Sequence, residues 1–187
     1  LTPKRAKEYF LWFKNEIPNR ITMLWEYMKE ERPESQPFDY SPESLIPLWD
    51  WYETKIKQVP QTRKEIEYNV SRFPKWMEEN VRKITMKYTD ETLSLALDIS
   101  IYYGETIIKN YPNMYWGHFT RPKRELFANK PVILKLNNKK KYVAASQVVF
   151  VCMIKSSERP DKNRLYDLYR FSEDEFDPIK PSYWDSW

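Results

Sequence analysis

A long helix followed by a short strand is predicted for residues 89–119, TDETLSLALDISIYYGETIIKNYPNMYWGHF. Thr89, followed three residues later by Thr92, is typical of a helix start, and apolar residues then recur at helical spacing as far as Asn110. This run holds both glycines and the only histidine of the 187-residue chain. Small residues recur every four positions on one face, at Ala96, Ser100 and Gly104. Because glycine has no side chain, we expect another element to pack closely against this row.

Amphipathic periodicity predicts further helices on the N-terminal side. The first covers residues 3–31, and Pro18 is expected to kink it or divide it near Glu16. A second helix begins at Ser41-Pro42, a serine N-cap followed by proline, and ends before Pro60. Weaker helical patterns cover residues 62–70 and 73–84.

The pattern changes after Pro112. Strands are predicted for residues 114–120 and 131–136, separated by a basic loop. Residues 143–154 fit either a strand, because of Val148-Val149-Phe150-Val151, or a helix, because of their length and Ala144-Ala145. The helix is favoured. A last short helix is predicted for residues 163–171, followed by an extended tail from Asp177 to Trp187.

These elements predict a mainly α (α+β) fold. We expect one domain, residues 1–187, with a helical part at 3–110 and a strand-containing part at 112–187. The strands form a small two- or three-stranded sheet in the C-terminal third. Two glycines against fourteen prolines agree with helices separated by proline-containing loops.

Composition excludes several classes of protein. Charged residues are 31% and hydrophobic residues 41% of the chain, which is an ordinary globular balance. The net charge of +4 is too small to imply a nucleic acid or an anionic membrane by itself. Neither an apolar run long enough to span a membrane nor a signal peptide is visible, so we expect a cytoplasmic protein without a membrane partner.

Nucleophilic or metal chemistry has few candidate residues. Cys152 lies in an apolar run, where its thiol should be inert, and His118 is the only candidate imidazole base. One cysteine and one histidine do not supply a zinc site, and the two glycines form no phosphate-binding loop. We therefore expect no metal and no cofactor.

Glu105 is the best candidate acid. It follows Gly104 on an otherwise apolar helix, and Asp98 lies about 10 Å away along that helix by helix rise. A pair at this separation is at the upper limit for an inverting glycosidase. One hypothesis is thus a hydrolase that uses Glu105 and His118 on a saccharide-like ligand. The favoured alternative is structural, with Glu105 paired to a cation or hydrogen-bonded to a tyrosine or tryptophan.

A basic segment suggests a third function. Residues 121–141 carry eight lysines and arginines against Glu125 alone, and they follow several aromatic side chains. Cations mixed with aromatics are typical of proteins that bind single-stranded nucleic acids. The candidate binding residues, for such a ligand or for a protein, are Tyr115, Trp116, Arg121, Lys123 and Arg124.

Five blocks together resemble a family of uncharacterised small cytosolic proteins from Gram-positive bacteria. They are AKEYFLWF (6–13), IPNRI (17–21), DYSPESLIPLW (39–49), YGE (103–105) with YWG (115–117), and NKPV (129–132). No activity is established for the family, so the resemblance implies no catalytic residue. By analogy, small cytosolic proteins of such bacteria often serve as immunity or partner proteins of secreted toxins.

We therefore expect a non-enzymatic domain that binds another protein, in the manner of an immunity protein that neutralises a toxin. Tryptophan and tyrosine, which are enriched at binding hot spots, are abundant here, with eight and fourteen residues. This hypothesis predicts an exposed patch of aromatic and charged side chains. The hydrolase hypothesis predicts one pocket lined by Glu105 and His118.

Overall fold

The computed structural model describes residues 2–122, 125–136 and 138–176. Over these residues the chain forms seven α-helices and two small antiparallel sheets. The helices are α1 (Pro3–Glu31), α2 (Leu45–Glu53), α3 (Arg63–Ser71), α4 (Glu78–Arg82), α5 (Asp90–Asn110), α6 (Ala145–Glu158) and α7 (Arg164–Phe176). The strands are β1 (Gln58–Pro60), β2 (Met86–Tyr88), β3 (Met114–Gly117), β4 (Val132–Lys135) and β5 (Asn138–Val143). The predicted mainly helical fold with a small sheet in the C-terminal third is confirmed, and the tail predicted from Asp177 onward lies outside the described residues.

Helix α1 is continuous through its internal proline. Thr2 caps its N-terminus by accepting a hydrogen bond from the Arg5 amide at 3.4 Å. The helix then passes Pro18 and ends at Glu31, so it is not divided where the sequence pattern suggested. Ile17 and Ile21, on either side of Pro18, are buried in the core. This tertiary packing compensates for the backbone hydrogen bond that proline cannot donate.

Helix α5 lies in the middle of the core and packs against α1, α6 and β3. Its start is the predicted one, because the Thr89 hydroxyl accepts a hydrogen bond from the Thr92 amide at 3.2 Å. The core is rich in fully buried aromatic side chains from α2, α5 and α7: Trp49, Trp51, Tyr52, Tyr102, Tyr103, Tyr169 and Phe176. The high aromatic content therefore fills the interior to a large extent.

The three-stranded sheet has the order β3-β4-β5. In its register Trp116 lies opposite Ile133, and Gly117 lies opposite Val132. A small second cluster of buried side chains accompanies this sheet: Phe127, Val132, Leu134 and Ala144. The chain enters α6 at Ala145, so the helical interpretation of residues 143–154 is confirmed from that residue onward, while Val143 ends β5.

Residues 58–88 form a unit that we call the arm, which contacts the main core through Tyr88. Strands β1 and β2 pair antiparallel at its base, with Val59 opposite Lys87, and helices α3 and α4 lie between them in the chain. This ribbon was not predicted, because strands of three residues are too short to show alternation. Only Val70 and Val81 are buried among the arm residues, and neither belongs to the main core cluster.

Candidate functional site

Glu105 has the hydrogen-bond partner that the structural hypothesis expects. The indole Nε1 of Trp116 donates to Glu105 Oε1 at 2.7 Å. Gly104 makes this approach possible, because a Cβ there would lie 2.2 Å from Trp116 Cζ2. The strand residue Trp116 is thus seated on the last position of the predicted row of small side chains. The expectation that another element packs closely at Gly104 is confirmed.

His118 lies at the other end of a row of aromatic contacts. Its ring centroid is 4.8 Å from that of Phe10, Phe10 is 6.4 Å from Phe13, and Phe13 meets Trp116 edge-on at 5.0 Å. Among the contacts of the described residues, no hydrogen bond joins His118 to Glu105. The three cavities described below are lined by other residues. Catalysis by Glu105 and His118 therefore stays a prediction, and the contacts described here do not support it.

Asp98, the acid predicted to accompany Glu105, is instead paired with a cation. Arg20 of α1 donates from Nε to Asp98 Oδ1 at 2.6 Å and from Nη2 to Oδ2 at 2.7 Å. Burial raises the pKa of Asp98, while the bonds from Arg20 act in the opposite direction. Beside this pair, Tyr27 donates to Glu91 at 2.5 Å. These residues line a cleft of about 290 Å³ between α1 and α5, in which Arg20 pairs with Asp98 and Glu91 accepts from Tyr27.

The aromatic side chains in and next to the basic segment are half-buried or buried. Tyr115 and Trp116 are half-buried in β3. Phe119 and Phe127 contact Tyr142 with ring centroids 5.0 and 6.1 Å apart. Of the predicted binding cations, Arg121 is exposed, whereas Lys123 and Arg124 lie outside the described residues. Nucleic-acid binding by this segment stays a prediction, and the described rings do not form an open stacking platform.

Two other cavities hold no obvious catalytic constellation. One, of about 370 Å³ between α6 and α7, is lined by Lys155 and Arg164 together with two aspartates, so its charges offset each other. It also touches Cys152, whose burial raises the thiol pKa to about 11 and keeps the thiol protonated. The other, of about 460 Å³, lies along the loop between α1 and α2.

The arm carries three exposed aromatic side chains that lie close together in the sequence. Tyr68, Phe73 and Trp76 are 62%, 46% and 78% exposed, and they lie within nine residues of one another. Two hydrogen bonds make the intervening turn compact: the Phe73 amide donates to Val70 O at 3.1 Å, and the Met77 amide donates to Pro74 O at 2.9 Å. We call these three side chains the arm aromatics.

Charged groups hold the arm together and also flank the arm aromatics. Arg82 pairs with Glu67 and Lys83 with Glu79, while Lys87 pairs with Glu65. The Arg72 guanidinium lies over the Tyr68 ring at 5.8 Å, and Lys75 sits between Phe73 and Trp76 in sequence. Within the arm, all of which is described, neither Arg72 nor Lys75 takes part in an ion pair.

Sequence reasoning did not find this surface. The run RFPKWM (72–77) mixes cations with aromatics just as the segment after residue 115 does, so the signal was present. It was missed because a weak helical pattern does not tell whether an aromatic side chain faces a core or solvent.

No protein-family model, curated protein or solved structure matches the chain. In the part of the chain that the structure describes, no helix is both long and apolar enough to cross a membrane.

Proposed function

We propose that the protein is a non-enzymatic interaction domain that binds another protein through the arm. The observation that carries this proposal is the exposure of the arm aromatics, of which Trp76 is 78% exposed. Tryptophan and tyrosine are enriched at binding hot spots because they bury large areas at low entropic cost. Exposed apolar groups gathered in one place mark interaction sites.

The arm adds little to the core that would explain its aromatic content. With only Val70 and Val81 buried, most of its apolar surface faces solvent, including Ile84 and Met86. Its ion pairs, the Thr62–Glu65 capping box and the β1–β2 pairing connect its elements without using that surface. A preorganised arm loses less conformational entropy on binding than a flexible one.

The specific role that we propose within this class is neutralisation of a toxin. Large exposed side chains on the arm suit a protein that covers the functional surface of a partner. A test is protection: cells that produce the protein should survive a toxin encoded beside its gene. Cells that produce the Trp76→Ala variant should not survive the toxin. Equal survival with the unchanged protein and with Trp76→Ala would contradict toxin neutralisation through the arm.

Binding through the arm has its own test with a matched control. Trp12 of α1 is another exposed tryptophan, at 55%, and it lies outside the arm. Trp76→Ala should abolish the recovery of a specific partner protein when tagged variants are purified from producing cells. Trp12→Ala should leave that recovery unchanged. If Trp76→Ala retains the same partner, or if Trp12→Ala loses it equally, the arm is not the binding surface.

A further inference from the structure

The arm carries most of the net positive charge of the chain. It contains seven lysines and arginines against four glutamates, a net charge of +3 out of +4 for the whole protein. Three of the cations are neutralised by the ion pairs to Glu65, Glu67 and Glu79. The four others are Arg63, Lys64, Arg72 and Lys75.

Two of these four cations flank the arm aromatics directly. Arg72 precedes Phe73, and Lys75 precedes Trp76. Arg72 lies over the Tyr68 ring, so its guanidinium is held at the edge of the aromatic patch. A partner that covers Tyr68 and Trp76 would therefore bring its own groups close to Arg72, which lies over the Tyr68 ring, and to Lys75, the neighbour of Trp76 in sequence. Burying those charges is favourable only if the partner supplies carboxylates.

The chemistry of the patch favours a protein over a nucleic acid. Ile84 and Met86 are exposed on the same arm, and aliphatic side chains pack against protein side chains rather than stack on bases.

We infer that the arm recognises an acidic protein surface, in which aspartate or glutamate side chains meet Arg72 and Lys75 beside an apolar pocket for Trp76. The inference rests on the proposed binding through the arm and adds the chemistry of the partner. Opposite charges should mainly raise the association rate and should weaken with salt.

A displayed library of random peptides, selected on the immobilised protein, tests this chemistry. The enriched peptides should combine aspartate or glutamate with large apolar residues. The double variant Arg72→Glu/Lys75→Glu should bind them about tenfold or more weakly, and binding should fall with salt. Lys4→Glu/Lys7→Glu on α1 changes the net charge equally and should bind as the unchanged protein does.

The outcomes separate this inference from the proposed function. If selected peptides fail to bind Trp76→Ala and yet bind Arg72→Glu/Lys75→Glu with unchanged affinity, the arm would remain the binding site, and the inference of an acidic partner would be wrong. Peptides that bind Trp76→Ala unchanged, or no enriched peptide at all, would overturn the inference together with its basis in the arm. Oligothymidylate that binds more tightly than any peptide, and loses affinity in Arg72→Glu/Lys75→Glu, would replace the acidic protein by a nucleic acid.

Discussion

Replacing Gly104 by alanine tests how the sheet is seated on helix α5. A Cβ at this position would lie 2.2 Å from Cζ2 and 2.5 Å from Cη2 of Trp116, far closer than the usual separation of carbons in contact. Because the indole is large and wedged against Phe13, the added methyl group must displace the ring or push β3 away from α5.

The expected magnitude follows from the contacts that the ring would lose. The hydrogen bond from Trp116 to the charged Glu105 is worth about 1.5–3 kcal/mol, and the edge-on contact with Phe13 about 0.5–1.5 kcal/mol. Part of this loss is offset, because alanine is about 1 kcal/mol more favourable than glycine inside a helix. We expect the free energy of unfolding to fall by about 2 kcal/mol, which lowers Tm by roughly 4–8 °C for a chain of this size.

Urea denaturation of the single and double variants measures this effect. Gly117→Ala is the comparison at the other glycine: its Cβ would lie 2.4 Å from Cδ1 and 3.0 Å from Cγ of the buried Leu134, so we expect a loss of about 1–3 kcal/mol that does not depend on the ring at position 116. In a Trp116→Phe background, which lacks the two clashing ring atoms, Gly104→Ala should cost much less than in the unchanged protein. A Gly104→Ala variant as stable as the parent, or equally destabilised in both backgrounds, would refute the packing argument.

Three further predictions concern single side chains. Glu105→Ala should lower the free energy of unfolding by about 1–3 kcal/mol, because it leaves the Trp116 N–H without its acceptor. Glu105→Gln keeps an acceptor and should lower it less. Thermal denaturation compares the two variants. The hydrogen bond from Lys87, together with those from the amide and hydroxyl of Thr62, lowers the pKa of Glu65 to about 2, so this carboxylate stabilises α3 above about pH 4.5 and loses that effect as the pH falls toward 2. An NMR titration should show the low pKa, and an ordinary value would contradict it. Cys152 should react with a thiol reagent only on unfolding, and rapid labelling of the native protein would contradict its burial.

Helical periodicity and capping residues predicted α1 and α5 closely, whereas the second predicted helix, from Ser41 to before Pro60, is the shorter α2 at Leu45–Glu53. Thr89 and Ser41 accept the N-terminal hydrogen bonds expected of them, and the small residue Gly104 marked a close approach. The division expected at Pro18 did not occur, because buried neighbours such as Ile17 hold the helix across the proline. Local rules do not include that tertiary contribution.

The candidate site was harder to predict for a physical reason. The aromatics near His118 stood out in the sequence, yet Trp116 is used to join the sheet to α5. The aromatics of the arm stood in weak helices and drew less attention, yet Trp76 is largely exposed. Sequence spacing gives the face of a helix on which a side chain lies, whereas exposure depends on whether any other element covers that face.

The most direct test of the account is site-specific photo-crosslinking in producing cells. A photoreactive phenylalanine derivative at position 76 should form a covalent adduct with one partner protein. The same group at position 12, the exposed tryptophan position on α1, should form no such adduct. The absence of an adduct at position 76, or the same adduct at both positions, would contradict the claim that the arm is the interaction surface.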